Sequence, residues 1–251
     1  MNLTLTRLDL ARLLRDPSTL IFIVLLPALL YIVFGGAAGY GDFPMGKGNV
    51  SMFVMINMAT YGAVSATTSL AAGSAIEKMQ GWGRQLALSG ISDAQYVWSK
   101  IRLGLIIALM PVTVVYLIGF LMGASAPWES WAISYVVAVL GAGLISLYGL
   151  GMGMLIRSDV AVSITSGTIV LFGFIGNVFN PLTETLYNIA QFTPLYGLGV
   201  LARWASTEGQ TMLSSGTIVE EDLTIAVANL AAWTIIFTAL SIVALRRGRE
   251  R

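Results

Sequence analysis

The 251-residue chain contains neither cysteine nor histidine, and only 11% of its residues are charged. The first two absences exclude disulfides, thiol nucleophiles, zinc sites of the usual Cys/His kind and any Ser-His-Asp machinery. The shortage of charge is as informative, because soluble domains carry about 25% charged residues and need them to cover their surface. With 56% hydrophobic residues and a mean hydropathy of +0.80, the composition is that of an integral membrane protein. A formal net charge of +1 gives no reason to expect a nucleic-acid partner.

A bilayer core takes about 20 consecutive apolar residues per helix. Six windows without Asp, Glu, Lys or Arg meet that length: 20–40, 50–76, 103–127, 131–156, 160–180 and 223–245. The expected fold is therefore all-α and integral to the membrane, with six transmembrane helices in one domain over 1–251. The first window has charge and turn residues on both sides and no A-x-A-like site after it, unlike a cleaved signal peptide. Pro27 and Pro111 fall inside two windows, where lipid-embedded helices tolerate kinks if neighbours satisfy the freed carbonyls.

Basic residues set the orientation. Arg7, Arg12 and Arg15 precede the first window, and Lys78, Arg84, Lys100 and Arg102 lie between the second and third. Arg157 separates the fourth from the fifth, and Arg246, Arg247, Arg249 and Arg251 end the chain. Twelve of the fourteen basic residues thus share one side, leaving Lys47 and Arg203 on the other. By the positive-inside rule both termini are expected in the cytoplasm, here of a bacterial cell with the chain in its inner membrane.

The stretch "GDFPMGKG", residues 41–48, matches seven of eight positions of the phosphate-binding loop G-x-x-x-x-G-K-[ST]. Its eighth position is Gly48 instead of a magnesium-binding hydroxyl, no strand-to-helix context surrounds it, and its expected location is outside the cell. It reads as a Gly/Pro-rich external turn. The spans offer no buried carboxylate, lysine or histidine for proton coupling, and no base or metal for hydrolysis. Residues 1–16 place Leu3, Leu10, Leu13 and Leu14 on one helical face, as in an interfacial helix on the cytoplasmic leaflet or an ordinary amphipathic helix. The G-x-x-x-G pairs Gly35/Gly39, Gly119/Gly123 and Gly149/Gly153 read as helix-packing contacts.

The cytoplasmic segment 75–100, "AIEKMQGWGRQLALSGISDAQYVWSK", sets Trp82 between two glycines. Two readings fit that tryptophan: an anchor inserted into a partner's cleft, or an anchor at headgroup depth. Here the sequence resembles the permease subunits of ABC-2 type exporters. Their first cytoplasmic loop runs Glu-Lys/Arg-x-x-Gly-Trp-x-Arg-x-Leu, then x-x-Ser/Thr-Pro, and returns through a Lys. Glu77, Lys78, Gly81, Trp82, Arg84, Leu86, Ser89 and Lys100 fall on those positions, and Gly90 stands where the family has proline. The start "LLRDPSTLIFIVLLPALLYIVFG" is similar to the family's interfacial helix and first span. The segment "NPLTETLYNIAQFTPLYGLGVLARW" is similar to its external re-entrant helical pair, with Pro181, Pro194 and Tyr196 in matching places.

The resemblance implies two six-helix permeases, identical or siblings, on separately encoded ATPase subunits that bind ATP and magnesium. This chain would be a transport subunit with no cofactor, metal or catalytic residue of its own. Glu77, Lys78, Gly81, Trp82, Arg84 and Leu86 would couple it to the ATPase, and within the external segment 181–222 the re-entrant part, about 181–204, would close the exit. Residues 205–222, with Glu208, Glu220, Glu221 and Asp222, are polar and acidic and read as a flexible loop. In the family the substrate passes along spans one, two and five. Candidates for that path are Phe53, Asn57 and Tyr61 in span two, beside Met52, Met55 and Met58, and Phe172, Phe174, Asn177 and Phe179 in span five. Aromatic and methionine side chains suit a bulky lipophilic substrate such as a drug, antibiotic or lipid. A lipid-linked polysaccharide, or ATP-independent facilitation by a six-helix channel, are the alternatives.

Overall fold

A computed structural model describes residues 3–15, 20–36, 39–77 and 93–249 of the chain. Its organising element is the least hydropathic of the membrane-length helices, with Asn57, Thr60, Thr67 and Thr68 buried along it. In lipid, a helix with polar and small side chains belongs among neighbouring helices, where those groups find partners that hydrocarbon cannot offer. The helix Val50–Glu77, named α3 below, takes that place, with 83% of its apolar window buried.

Two elements precede α3. Helix α1 (Leu3–Leu14) turns Leu10 and Leu13 toward Leu103 and Ile107, and leaves Leu8 and Leu14 exposed. The apolar helix α2 is irregular, with π-helical Ile21–Leu25, α-helical Leu26–Tyr31 and π-helical Ile32–Gly36. Pro27 lies at its centre, and a proline without an amide hydrogen favours such departures from regular geometry. A short antiparallel ladder, β1 (Pro44–Met45) with β2 (Gly48–Asn49), leads into α3.

Helix α4 (Asp93–Leu121) begins ten residues before the third apolar window, because the polar run from Asp93 continues the same helix. Helix α5 (Trp128–Ile156) ends at Arg157, whose left-handed φ of 57° stops it. Packing of α5 on α3 is close: a Cβ on Gly149 or Gly153 would collide with the backbone carbonyls of Thr68 and Ala72. That pair is therefore a helix-packing contact, as its spacing predicts. Pro27 and Pro111 converge on Gly62 of α3, where a Cβ would sit 2.8 Å from the Pro27 ring and 3.0 Å from that of Pro111.

Helix α6 (Val160–Ile175) stops five residues short of its window. Gly176 caps it and Asn177 takes a left-handed φ of 59°, so the amides of Val178 and Phe179 fold back onto the Gly173 carbonyl. Two short helices follow, α7 (Glu184–Ala190), capped by the Thr183 hydroxyl, and α8 (Tyr196–Thr207). The stretch expected to be a flexible loop is instead ordered as a hairpin, β3 (Gln210–Met212) against β4 (Ile218–Glu220). Gly216 supplies the positive φ its turn requires, Leu213 is buried, and the Ser214 amide bonds the Leu182 carbonyl. Helix α9 (Leu223–Arg249) is the last element among the described residues.

Among the described residues, four helices are long and apolar enough to cross a membrane, within α3, α4, α5 and α9. The apolar stretches Ile23–Gly36 and Val160–Ile175 are shorter. At 1.5 Å per residue α6 covers roughly 24 Å of a hydrocarbon core about 30 Å thick.

Candidate functional site

The end of the bundle that carries α1 also holds both boundaries of segment 78–92. Of the six proposed coupling residues, Glu77 is in place at the last turn of α3. Lys78, Gly81, Trp82, Arg84 and Leu86 lie outside the described residues. Where the chain is next described, α4 brings Lys100 back toward Glu77, with Nζ 3.9 Å from the Glu77 carboxylate and 2.8 Å from Asp9 Oδ2 of α1. The Thr6 hydroxyl donates to the Ser99 carbonyl at 3.4 Å beside it. Lysine 100 thus clasps the start of the segment, its return and the N-terminal helix at one point.

A cleft of about 390 Å³ opens there between α1, α2, α3, α4 and α6. Leu13, Ile23, Leu70, Leu103 and Val162 give its lining apolar surface. Asp9, Glu77 and Lys100 give it charge, and Ser69 and Ser74 hydroxyls. Such a lining offers both apolar and polar contacts.

At the opposite end, the proposed path residues are packed against one another. The Tyr61 and Phe179 rings meet edge to face at 4.6 Å, and Phe179 meets Phe174 at 4.9 Å. The Asn177 amide donates to the Thr211 hydroxyl of β3 at 3.2 Å. Asn57, Tyr61, Asn177 and Phe179 are buried, whereas Phe174 is half exposed. Phe172 points elsewhere, toward Tyr148 of α5. Met52, Met55 and Met58 are fully buried core side chains. Of the gate candidates, Pro181 is exposed ahead of α7, while Pro194 and Tyr196 are buried at the start of α8. The hydroxyls of Tyr196 and Tyr187 meet at 3.2 Å.

The residues that organise this end are Arg203, Glu221 and Asn229, none of which had been singled out as a site. Arg203 of α8 has no exposed surface. Its Nε donates to Glu221 Oε2 at 3.0 Å, its Nη2 donates to Oε1, and its Nη1 reaches Asn57 Oδ1 of α3 at 3.2 Å. The guanidinium also lies over the Phe53 ring, 5.2 Å from its centre. Burial pushes the Glu221 carboxyl above its ordinary range, against the pull of the Arg203 guanidinium. Asn229 of α9 fixes the elbow between α7 and α8. It accepts from the Gly197 amide at 3.2 Å and donates to the Gln191 and Thr193 carbonyls at 2.7 and 3.1 Å. A charge count treats Arg203 and Glu221 as solvated loop residues, so only the fold reveals their pairing.

The stretch "GDFPMGKG" docks on this same end. The Lys47 amide bonds the Ser206 carbonyl at 2.8 Å, and its side chain pairs with Glu208 at 2.8 Å. The Gly46 amide donates to Gln210 Oε1 at 3.2 Å. The loop is a β1–β2 turn committed to α8 and the hairpin, not a phosphate cradle.

No curated protein matches the chain. Residues 2–198, from the N-terminal helix into α8, match the family described as ABC-2 type transporter. That match covers most of the chain and agrees with a helical, multi-pass membrane architecture. The protein therefore belongs to the ABC-2 type transporter family, as the membrane permease subunit of an ABC transporter.

Proposed function

We propose that this permease exports a hydrophobic or amphipathic compound, such as a drug, an antibiotic or a lipid, from the cytoplasm or the inner leaflet. The carrying observation is the cleft at the α1 end, lined by both apolar and charged side chains, beneath apolar windows that hold no Asp, Glu, Lys or Arg. In this reading α2, α3, α4, α5, α6 and α9 are six passes, and α7 with α8 is an external re-entrant pair. Both termini lie in the cytoplasm of a bacterial cell. The protein works as a dimer, with a second copy or a related permease, on separate ATPase subunits that supply ATP and magnesium.

Energy then enters through residues 77–88. ATP-driven closure of the soluble subunits biases an equilibrium between inward-open and outward-open states, and does so only as far as those subunits bind the two states differently. Glu77 and Arg84 make the polar contacts to the ATPase, and Trp82 makes the apolar one. The test is co-purification with a Walker-motif ATPase, followed by Trp82→Ala. The variant is expected to insert and dimerise, yet substrate no longer stimulates ATP hydrolysis. Intact stimulation and efflux in Trp82→Ala would remove this assignment. For the cleft, Leu70→Trp should raise the concentration of lipophilic dye needed for half-maximal efflux from proteoliposomes, and an unchanged value would move the substrate site elsewhere.

A further inference from the structure

Arg203 makes two kinds of contact, and they differ in how readily they part. Toward Glu221 it makes two charge-assisted bonds between side chains with no exposed surface. Separating unit charges where water is excluded is costly, so these groups move together. Toward α3 it makes one hydrogen bond to a neutral acceptor, Asn57 Oδ1, and a face contact with Phe53. Both are weaker than the buried ion pair, because the acceptor and the ring carry no charge.

The α3 side of the contact is also incompletely satisfied. Asn57 Nδ2 and, one turn further on, Thr60 Oγ1 are buried without a hydrogen-bond partner. Buried polar atoms are nearly always paired. Two orphans on successive turns of one helix mark a face held shut at a cost, which hydration relieves once the face opens.

We propose that Arg203 is the positioning residue of the external gate. It travels with Glu221 as part of the unit formed by α7, α8, β3 and β4, and docks detachably on Asn57 and Phe53 of α3. That this end is external, and opens during export, rests on the function proposed above. The mechanical link is α3 itself, which runs unbroken from Asn57 to Glu77, roughly 30 Å at 1.5 Å per residue. A displacement imposed at Glu77 therefore reaches the dock through one rigid helix. In the closed state the Arg203–Asn57 bond is made, and in the open state α3 has withdrawn while Arg203 keeps Glu221. Both Arg203 and Glu221 lie beyond residue 198, where the family match ends.

Because the chain has no cysteine, Thr60→Cys places a single thiol beneath the dock. Its reaction with a membrane-impermeant maleimide, added outside vesicles that carry the full permease and its ATPase, reads gate opening. At rest, Asn57→Leu and Arg203→Lys are expected to raise the labelling rate about tenfold or more, the population shift worth one hydrogen bond from a charged donor. Arg203→Lys keeps the charge beside Glu221 but gives up the bidentate fork as well as the arm to Asn57, so an unchanged rate there excludes the dock even if Asn57→Leu fails to fold. Asn57→Asp, which gives Arg203 a second carboxylate, should label more slowly than the parent. Equal resting rates in Arg203→Lys and the parent would overturn the proposal, whatever happens to thermal stability. Added ATP should raise labelling in the parent and less in Asn57→Asp. If the resting order holds but ATP changes nothing in any variant, the dock stands and the exporter reading falls.

Discussion

The two ends of the bundle each rest on an ion pair, and the pairs are built oppositely. At the hairpin end Arg203 and Glu221 are wholly buried, bidentate and surrounded by Phe53, Asn57 and α8. At the α1 end the Lys100 side chain keeps 17% of its surface in solvent, Asp9 25% and Glu77 40%, and the Glu77 contact is loose at 3.9 Å. A buried pair behaves as a unit, present or broken at great cost. A wet pair is weak, screened by salt and easily rearranged. The difference suits a lever: the end that a partner pushes yields gradually, and the end that seals the route moves as one body.

The largest effect should come from breaking the buried pair on one side only. Arg203→Met or Glu221→Gln is expected to lower stability by about 3–5 kcal/mol, because each leaves an uncompensated charge or donor set in the interior. The double variant Arg203→Met/Glu221→Leu should recover most of that loss, since an apolar pair of similar volume carries no desolvation penalty. Thermal unfolding of the purified permease, arranged as a double-mutant cycle, measures both. Additive losses would mean that the two charges do not act as a unit.

Asn229 sharpens the same side of the contrast with neutral groups. Asn229→Leu strands the Gly197 amide and two carbonyls at the elbow of α7 and α8, and should cost about 2 kcal/mol. Lys100→Ala, at the wet end, should cost less than about 1 kcal/mol, and the difference from the parent should shrink further in high salt. A salt-independent loss as large as that of Arg203→Met would erase the distinction between the ends.

How much of this was legible follows from what hydropathy senses. The four long apolar helices are visible as charge-free windows, and Pro111 leaves α4 unbroken, whereas the window around Pro27 holds the shorter, irregular α2. The end of α6 was invisible, because residues 176–180 carry no charge and only the left-handed Asn177 stops the helix. The first turns of α4 were missed for the opposite reason: Asp93 to Arg102 is polar, and hydropathy registers the membrane and not the helix. The hairpin 210–220 looked like a solvated acidic loop, although Leu213, Thr211 and Glu221 are buried in it or beside it. No local spacing announces an Arg203–Glu221 pair, because the hairpin lies between its members. The resemblance sets Phe53, Asn57 and Tyr61 along a substrate path, and in this conformation they meet Arg203 and Phe179.

The smallest effect should be that of Lys47→Ala, at the same end as the buried pair but on its surface. The Lys47 and Glu208 side chains are 58% and 52% exposed, so their bond competes with water at every moment. The hydrogen bond and charge of Glu208 raise the Lys47 pKa above its ordinary 10.5. A base whose folded pKa is raised contributes stability that is complete below the unfolded value and lost only as pH rises through the folded one. Deleting it should therefore leave thermal unfolding between pH 6 and 8 without a new slope, and export nearly unchanged. The β1–β2 turn keeps its place because its anchors are the Lys47 and Gly46 amides, which alanine at 47 retains. Nucleotide binding by the purified permease that Lys47→Ala abolishes would show that "GDFPMGKG" does hold phosphate after all.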